Sequence, residues 1–479
     1  MRLGGKGPRA AMLAALLASA GCYSAHPAPG AACSPSGDCP SGQMCVLGIC
    51  ELPGTANDGG PDGPIEDAPI DSPDADVSCS CTGNTLACGG QPSVDCLEGC
   101  NPDPMGARCY HVAPSNGLMY TPATTVDVDV VVNEDLFVNT DTGEIDGTIF
   151  HRDAGEGEIA GIVFSQETYM GAPLGVFWLK SLTVKSGKTI TAGGDRSLVV
   201  IASSSISVEQ GGKIDVSAGC NAMNACAGPG GGDGAHENNA ALGCGPGGDG
   251  DTDASNNSGG GGGGGGTKGG GGGTGGVATP GTAGPACMNG VLEPLTGGSG
   301  GGRGGITTAM APPLQAGGGG GGIQLTSNVS IEIRGTIDAS GQGGEAGVVS
   351  GLLAGGGNGG GAGGGILLEA PSVSTLGSAR IGANGGGGGA GAAIGLQNAG
   401  QKGRLDTVAA TGGAATLPTT GAGGAGGAKN VTAMPGASLS EAGGGGGAVG
   451  VIVVRAFPQS RSVAGQVSPA ANVLDLRTR

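Results

Sequence analysis

From residue 181 onward, apolar and polar residues alternate with a period of two over short stretches, and the stretches recur. In SLTVKSGKTITAGG (181–194) and SISVEQGGKIDVSAG (205–219), Leu182 and Val184 fall on Ile206 and Val208. Ile190 and Ala192 fall on Ile214 and Val216, so the offset is a constant 24 residues. A third copy, GGGGGGIQLTSNVSIEIRGTIDASGQGG (317–344), aligns Ile323 and Leu325 with Leu198 and Val200, Ile331 and Ile333 with Ile206 and Val208, and Ile337-Asp338-Ala339 with Ile214-Asp215-Val216. A looser copy covers 363–386, and GAVGVIVVRAF (447–457) begins another. Alternation with period two predicts strands, about three short ones per unit.

A unit of this size cannot bury its own aliphatic residues, but stacked units can, each packing Ile, Val and Leu onto the same positions of the next. The pattern therefore predicts an all-β fold, a parallel β-helix or solenoid over 120–470 with a tail at 471–479. A β-sandwich is the competing reading, but it does not require matching positions at a constant offset. On the solenoid reading, Ile331 and Ile333 are buried on Ile206 and Val208.

Glycine interrupts this pattern at one place in the repeat, between the Ile-x-Ala/Val strand and the next strand, over 219–322, 341–365 and 384–448. Insertions that recur at one corner emerge side by side on one side of a solenoid. With 113 Gly and 28 Pro among 479 residues and no Gly-x-y period, the tracts are not collagen. Two physical states are open to them. Gly-rich linkers are usually flexible, and that precedent favours loose, disordered loops. The alternative is packing as extended polyproline-II-like strands, since only Gly lets backbones approach so closely.

The N-terminus adds a compartment. Arg2, Lys6 and Arg9 precede the apolar run Ala10–Leu17 and the small residues before Cys22, the layout of a signal peptide over 1–21. Ala18-Ser19-Ala20-Gly21-Cys22 resembles a bacterial lipobox, with Ser19 where Leu is usual, and the resemblance implies that Cys22 carries a lipid and begins a tether over 22–32. An ordinary signal peptide cut after Gly21 is the other reading. Tyr23, in place of the Asp that retains some lipoproteins at the inner membrane, points to the outer membrane and the cell surface. Of 15 cysteines, lipidation would leave fourteen, the even number that an oxidising compartment favours.

Those fourteen fall in three groups. Cys33, Cys39, Cys45 and Cys50 make a small module over 33–50, and Cys79, Cys81, Cys88, Cys96, Cys100 and Cys109 make a second over 79–119. Cys220, Cys226, Cys244 and Cys287 lie in the longest glycine excursion, where two bridges would fix part of it. With no Cys-x-x-Cys pair or His array in either module, disulfides are favoured over zinc, and the pairing stays open. Between the modules, 51–78 is an acidic Pro/Asp/Gly linker, and no Lys or Arg occurs from Ala10 to Ala107.

The run TDTGEIDG…GIVFSQ…GAPLGVFWLKSLTVKSGKTITAGGDRSLVVIASSSISVEQGGKIDVSAG resembles glycine-rich surface lipoproteins of myxobacteria and related bacteria. The specific part is 140–219. That group brings no established activity with it.

Candidate chemistry is sparse. Asp249, Asp251 and Asp253 resemble the start of an EF-hand loop, but Ala254 replaces the turn glycine and Gly260 the final Glu. His26, His111, His151 and His236 are scattered. Asp215 and Asp338 hold the same outward position in two copies, so adjacent coils would bring their carboxylates about 5 Å apart, a spacing that suits calcium or a retaining glycosidase pair. Solvated turn carboxylates are the plainer reading, and no other cofactor is expected. The net charge of −18 argues against nucleic-acid partners and against attraction to anionic lipid. The reading favoured is a non-catalytic structural or adhesive scaffold, attached to a membrane by its lipid and contacting polysaccharide or matrix. A β-helix polysaccharide lyase or glycoside hydrolase is the alternative.

Overall fold

A computed structural model describes residues 44–46, 49–51, 79–82, 85–88, 93–95, 100–101, 108–109, 111–119, 128–219, 227–236, 239–253, 256–306, 315–347, 354–393 and 398–478. The chain divides into two units, Met1–Ala75 and Asp76–Arg479. In the first, Met44–Val46 and Ile49–Glu51 form an antiparallel hairpin with Cys45 opposite Cys50. Cys22, the tether and nearly all of the acidic linker lie outside the described residues.

In the second unit the repeats become three sheets. The eight-stranded sheet runs in the order Gly157–Ile159, Ile162–Tyr169, Ala172–Leu179, Ser197–Ala202, Gly322–Ser327, Gly365–Glu369, Val451–Ala456, Asn472–Asp475. The six-stranded sheet holds Asp129–Val132, Ser181–Val184, Ile206–Val208, Ser330–Ile333, Ser372–Thr375 and Arg461–Val463. The seven-stranded sheet holds Ile145–Asp146, Leu136–Asn139, Thr189–Gly193, Lys213–Asp215, Thr336–Asp338, Arg380–Gly382 and Gln466–Ser468. Successive copies pair in parallel, with Leu182 on Ile206, Ile206 on Ile331 and Val208 on Ile333. The third strand aligns likewise, Ile190 on Ile214 and Ile214 on Ile337. These pairings are the ones the alternation predicts, and Ile206, Val208, Ile331 and Ile333 are all buried in one aliphatic core. Among the described residues there is no α-helix, and the arrangement is compatible with a β-solenoid.

The start of the stack is closed by antiparallel strands that the repeat pattern does not announce. Gly157–Ile159, Ile162–Tyr169 and Ala172–Leu179 meet through two-residue turns, Ala160-Gly161 and Met170-Gly171. All four turn residues have positive φ, as a type I′ hairpin turn requires, and Gly supplies it without strain at the second position of each. Arg152 is fully buried in this cap, where its guanidinium donates to the carbonyls of Gly143, Asp153, Gly155, Gly157 and Ile162 and lies over the Phe164 ring. Five carbonyl acceptors satisfy a planar fork of donors, which is how a buried arginine is tolerated without a carboxylate. Glu134 plays the complementary part, accepting from Thr148 and from the Ile149 and Phe150 amides; the Thr148 hydroxyl first, then those backbone bonds, hold its carboxyl down at about 2.

Two expectations need correction. Residues 471–479 are not a free tail, because Asn472–Asp475 pairs with Val451–Ala456 as the last strand of the long sheet. Residues 111–119 do not belong to the second cysteine module; they cross the outer face of that sheet as a strap, Ala113 bonding Arg477 and Leu118 packing with Leu174, Val176 and Val199. The structure also covers the outward face of that sheet. Strap residues, Leu292 and Leu295 cover it, and every residue of Gly322–Ser327, Gly365–Glu369 and Val451–Ala456 is buried on both sides.

Candidate functional site: a glycine array carried on one corner of the coils

The first turn from the seven-stranded to the eight-stranded sheet, after Gly193, is short, Gly194-Asp195-Arg196. The next three, after Asp215, Asp338 and Gly382, carry the excursions, all at the same corner as predicted. Their state is not the flexible one favoured by linker precedent. Gly259 and Gly262 donate to Gly273 and Gly270, Gly260 and Gly263 to Gly357 and Gly360, and Gly261 and Gly264 to Gly248 and Gly245, at 2.8–2.9 Å. The same stretch accepts from Gly281 and Gly284, from Gly445 and Ala448, and from Gly302 and Ser299. Each neighbour is met every third residue, the period of a polyproline-II helix, so this one extended segment is hydrogen-bonded to six others.

Segments 354–365, 383–392 and 441–450 are enclosed in the same way by six neighbours. The enclosure explains the composition. A Cβ on Gly259, Gly261, Gly262 or Gly264 would stand 1.9–2.0 Å from a neighbouring carbonyl oxygen. No side chain fits there, and residues 259–266 are eight consecutive glycines. An edge segment needs less. In 279–287, TPGTAGPAC, glycine remains only at 281 and 284, the two residues that donate to Gly259 and Gly262. Thr282 and Pro285 face solvent, where proline's missing N–H costs nothing.

Ordering a residue costs about 1–2 kcal/mol of backbone entropy. A backbone hydrogen bond returns about 1 kcal/mol and a Cα–H···O contact about 0.5–1 kcal/mol. The two sides nearly cancel, so the array owes its order to the coils that fix the ends of its segments. The Cys244–Cys287 disulfide adds a further tie between 242–251 and 279–287, beside Ser299. Cys220 and Cys226 lie outside the described residues.

The array is about 30 Å long, from residues near 450 at the coils to Glu441 at the far end, at ~3.1 Å per residue. At that end Asn257 donates to Glu441 at 2.7 Å and to the Ala354 carbonyl at 2.9 Å, while Thr252 donates to Asn257. Burial pushes the Glu441 carboxyl up to about 7; the Asn257 amide opposes this and Asp253 adds to it. Val277, Leu417 and Leu439 are exposed in turns at this end.

Asp215 and Asp338 are cross-strand partners, as the alignment predicts. They are neither an open cation site nor a pair of solvated carboxylates. Lys213 Nζ lies 2.7 Å from Asp215 and 3.0 Å from Asp338, and Lys402, from the excursion that folds over this face, lies 4.0 Å from Asp338 and 2.5 Å from Ser217. The Asp338 side chain is only 5% exposed. Burial pulls the Lys213 ammonium down, but the two carboxylates outweigh it and hold Lys213 above its ordinary value; burial likewise opposes, and Lys213 with Ser217 overcomes, in holding Asp215 low. Among the described residues no cluster of three His, Cys, Asp or Glu is placed to hold a metal ion.

The EF-hand resemblance dissolves as well. Asp249 accepts from the Arg303 amide, Asp251 from Thr252, and Asp253 from Asn256 and Val277, so the three point along one array segment toward separate partners. His151 sits beside Asp153 and Asp146 at the cap, far in sequence from exposed His111 and from His236 in the array. In the second module Cys79 and Cys88 are bonded to each other across a hairpin, and Cys81 and Cys109 each take part in a disulfide. Cys100 stands opposite Cys109 in the strand register. Cys33, Cys39 and Cys96 lie outside the described residues.

One cluster went unread in the sequence. Beneath the strap, Glu369 is fully buried and accepts from the Ser115 amide and hydroxyl, Gln324 and Thr326, with the Arg455 guanidinium 3.5 Å away. Arg455 also pairs with Glu293 at 2.6 Å. Burial raises the Glu369 carboxyl, against those donors. Thr326, Glu369 and Arg455 stack in register on successive coils. The ladder Ile201, Thr326, Glu369, Arg455 shows a polar column only once the register is known. Its partners are the strap and the Glu293 loop, so it fastens those covers to the sheet.

No protein-family model, curated protein or solved structure matches this chain.

Proposed function

We propose that this chain is a non-catalytic scaffold of the cell surface, a β-solenoid that is lipid-anchored at Cys22 and that holds out a rigid glycine array for adhesive or structural contact with polysaccharide or matrix. One observation carries the reading: the excursions are spent on one another. Segments 257–266, 354–365, 383–392 and 441–450 use their backbones to bind six neighbours each, which makes a plate rather than a set of ligand-seeking loops. The carboxylates that would serve a glycosidase, Asp215 and Asp338, are spent likewise on Lys213 and Lys402. The surface left to make contact is the rim and far end of the plate, where Val277, Leu417 and Leu439 are exposed. The resemblance to glycine-rich surface lipoproteins and the lipobox-like Ala18-Ser19-Ala20-Gly21-Cys22 supply the location.

The full-length protein incubated with a panel of polysaccharides, with retention and reducing ends measured together, tests the function. Retention without new reducing ends is expected, and product formation would replace the scaffold reading with that of a lyase or hydrolase. Labelled palmitate in cells tests the anchor: incorporation into the wild type and its loss in Cys22→Ser are expected, and a wild type without label would leave a freely secreted scaffold.

A further inference from the structure

The two ends of the coil stack differ. At the start, Val132 and Leu136 of the first coil are buried in one cluster with Ile145, Ile162 and Phe164 of the cap. At the other end the core columns run out into solvent. Val463 stacks on Thr375, Val467 on Ile381 and Val473 on Val454. Val463 is 38% exposed, Val473 is 42% exposed, and Val467 is half-buried. The strands that carry them, Arg461–Val463, Gln466–Ser468 and Asn472–Asp475, are each hydrogen-bonded on one side only. Beyond the last strand, Thr478 leaves this end to pair with Val112 of the strap.

Open strand edges and open apolar columns thus coincide at all three corners of the last coil. A surface of this kind recruits other strands unless it is blunted, and repeat proteins ordinarily cap it. Its complement must offer three strand edges at the same spacing around an apolar centre, which is the geometry of another coil end. The cap closes the first end, so head-to-tail stacking into a filament is blocked. The matching surface left is the same end of a second copy, and a twofold axis between them would run the facing strands antiparallel. Charge permits the meeting: Arg461 pairs with Asp475 at 3.2 Å, so this end is locally balanced in a chain of net charge −18.

We propose that the protein self-associates through this C-terminal coil end, two copies joining their last coils about a twofold axis. The contact is one coil wide, so the dimer is weak, with a dissociation constant on the order of 10–100 µM. The inference rests on the coil geometry alone and stands whether or not the adhesive reading does.

Sedimentation velocity of the full-length protein from about 1 to about 300 µM tests it. A monomer–dimer equilibrium is expected, weakened at least tenfold in Val473→Lys and in Val467→Lys. Thermal unfolding of each variant, unchanged from the wild type at low concentration, separates lost association from lost folding. Should both variants unfold, amide exchange of the wild type decides: protection over 461–475 should rise with concentration. A monomer throughout the range, a dimer indifferent to both folded variants, or protection that does not change with concentration would overturn the proposal.

Discussion

Residues 322–338 and residues 257–266 both bury nearly all of their backbone, by opposite means. The coil stretch does so with side chains: Ile323, Leu325, Ile331, Ile333 and Ile337 point into a shared core, and hydrogen bonds run to two neighbours, the coils before and after. The glycine stretch has no side chains beyond Asn257 and Ser258 and instead hydrogen-bonds through its backbone to six neighbours. Apolar burial gives the coil a surplus, about 25 cal/mol for each Å² removed from water. The array has no such surplus. Stability therefore flows one way, from coil to array, and each of the following substitutions tests that direction or its local terms.

The largest effect is expected from Gly262→Ala. Its Cβ would stand 2.0 Å from the Gly446 oxygen and 2.4 Å from the carbon behind it, with backbone on every side. Relief requires two enclosed segments to part, stranding buried amides, at a cost on the order of 4–6 kcal/mol. Hydrogen exchange should show protection lost across 257–306 and 441–450 while the strands at 206–208 and 330–333 keep theirs. Loss in both regions at once would mean that the coils depend on the array.

Ile331→Ala reverses the experiment. Ile331 is 1% exposed between Ile206 and Val373, and truncation leaves a cavity worth about 2–4 kcal/mol. Because the coils hold the ends of the array segments, protection should fall in both regions here. An array that stays protected while 330–333 loosens would show that it is stable in its own right.

The third test concerns charge at the far end. The Glu441 carboxyl has its folded pKa raised to about 7, against an ordinary value of 4.5, chiefly by burial. A carboxyl with a raised pKa favours the folded state fully below 4.5, and that contribution is lost as pH rises to about 7. Glu441→Gln should therefore change little near pH 4 and stabilise by up to about 2–3 kcal/mol near pH 8, as read from thermal unfolding across that range. An equal effect at both pH values would mean that the carboxyl is ionised throughout.

What could be read in the sequence follows the same division. Alternation and the 24-residue offset were enough to place Leu182 on Ile206, and the same strand motif, recurring after the long excursion, placed Ile206 on Ile331, because inward aliphatics in a repeated pattern leave a mark in one dimension. The corner from which the excursions leave was legible for the same reason. Their state was not, since composition alone does not separate a flexible glycine tract from an enclosed one. A finer mark was present: unbroken glycine at 259–266 for a segment with six neighbours, and glycine every third residue in TPGTAGPAC for one at the edge. The Asp215–Asp338 adjacency was legible, but not Lys402, which arrives from an excursion whose path only the fold reveals. The Glu369 cluster escaped for a like reason, as Ser115 and Glu369 are 254 residues apart.

The smallest effect comes from a glycine that enclosure does not explain. A Cβ on Gly271 would meet only the Gly281 oxygen at 3.8 Å, an ordinary contact, although Gly270 and Gly272 on either side would collide at 2.0 and 1.9 Å. The Gly271 backbone is not in the positive-φ region, so alanine fits without strain. It would restrict the unfolded chain more than glycine does and stabilise by about 0.4–1 kcal/mol. Gly271→Ala should then raise the unfolding midpoint slightly, with exchange across 268–275 unchanged, whereas Gly272→Ala, one residue away, should behave like Gly262→Ala. Equal damage from both would mean that the array tolerates no side chain even at its rim, and the six-neighbour count would no longer explain where glycine is required.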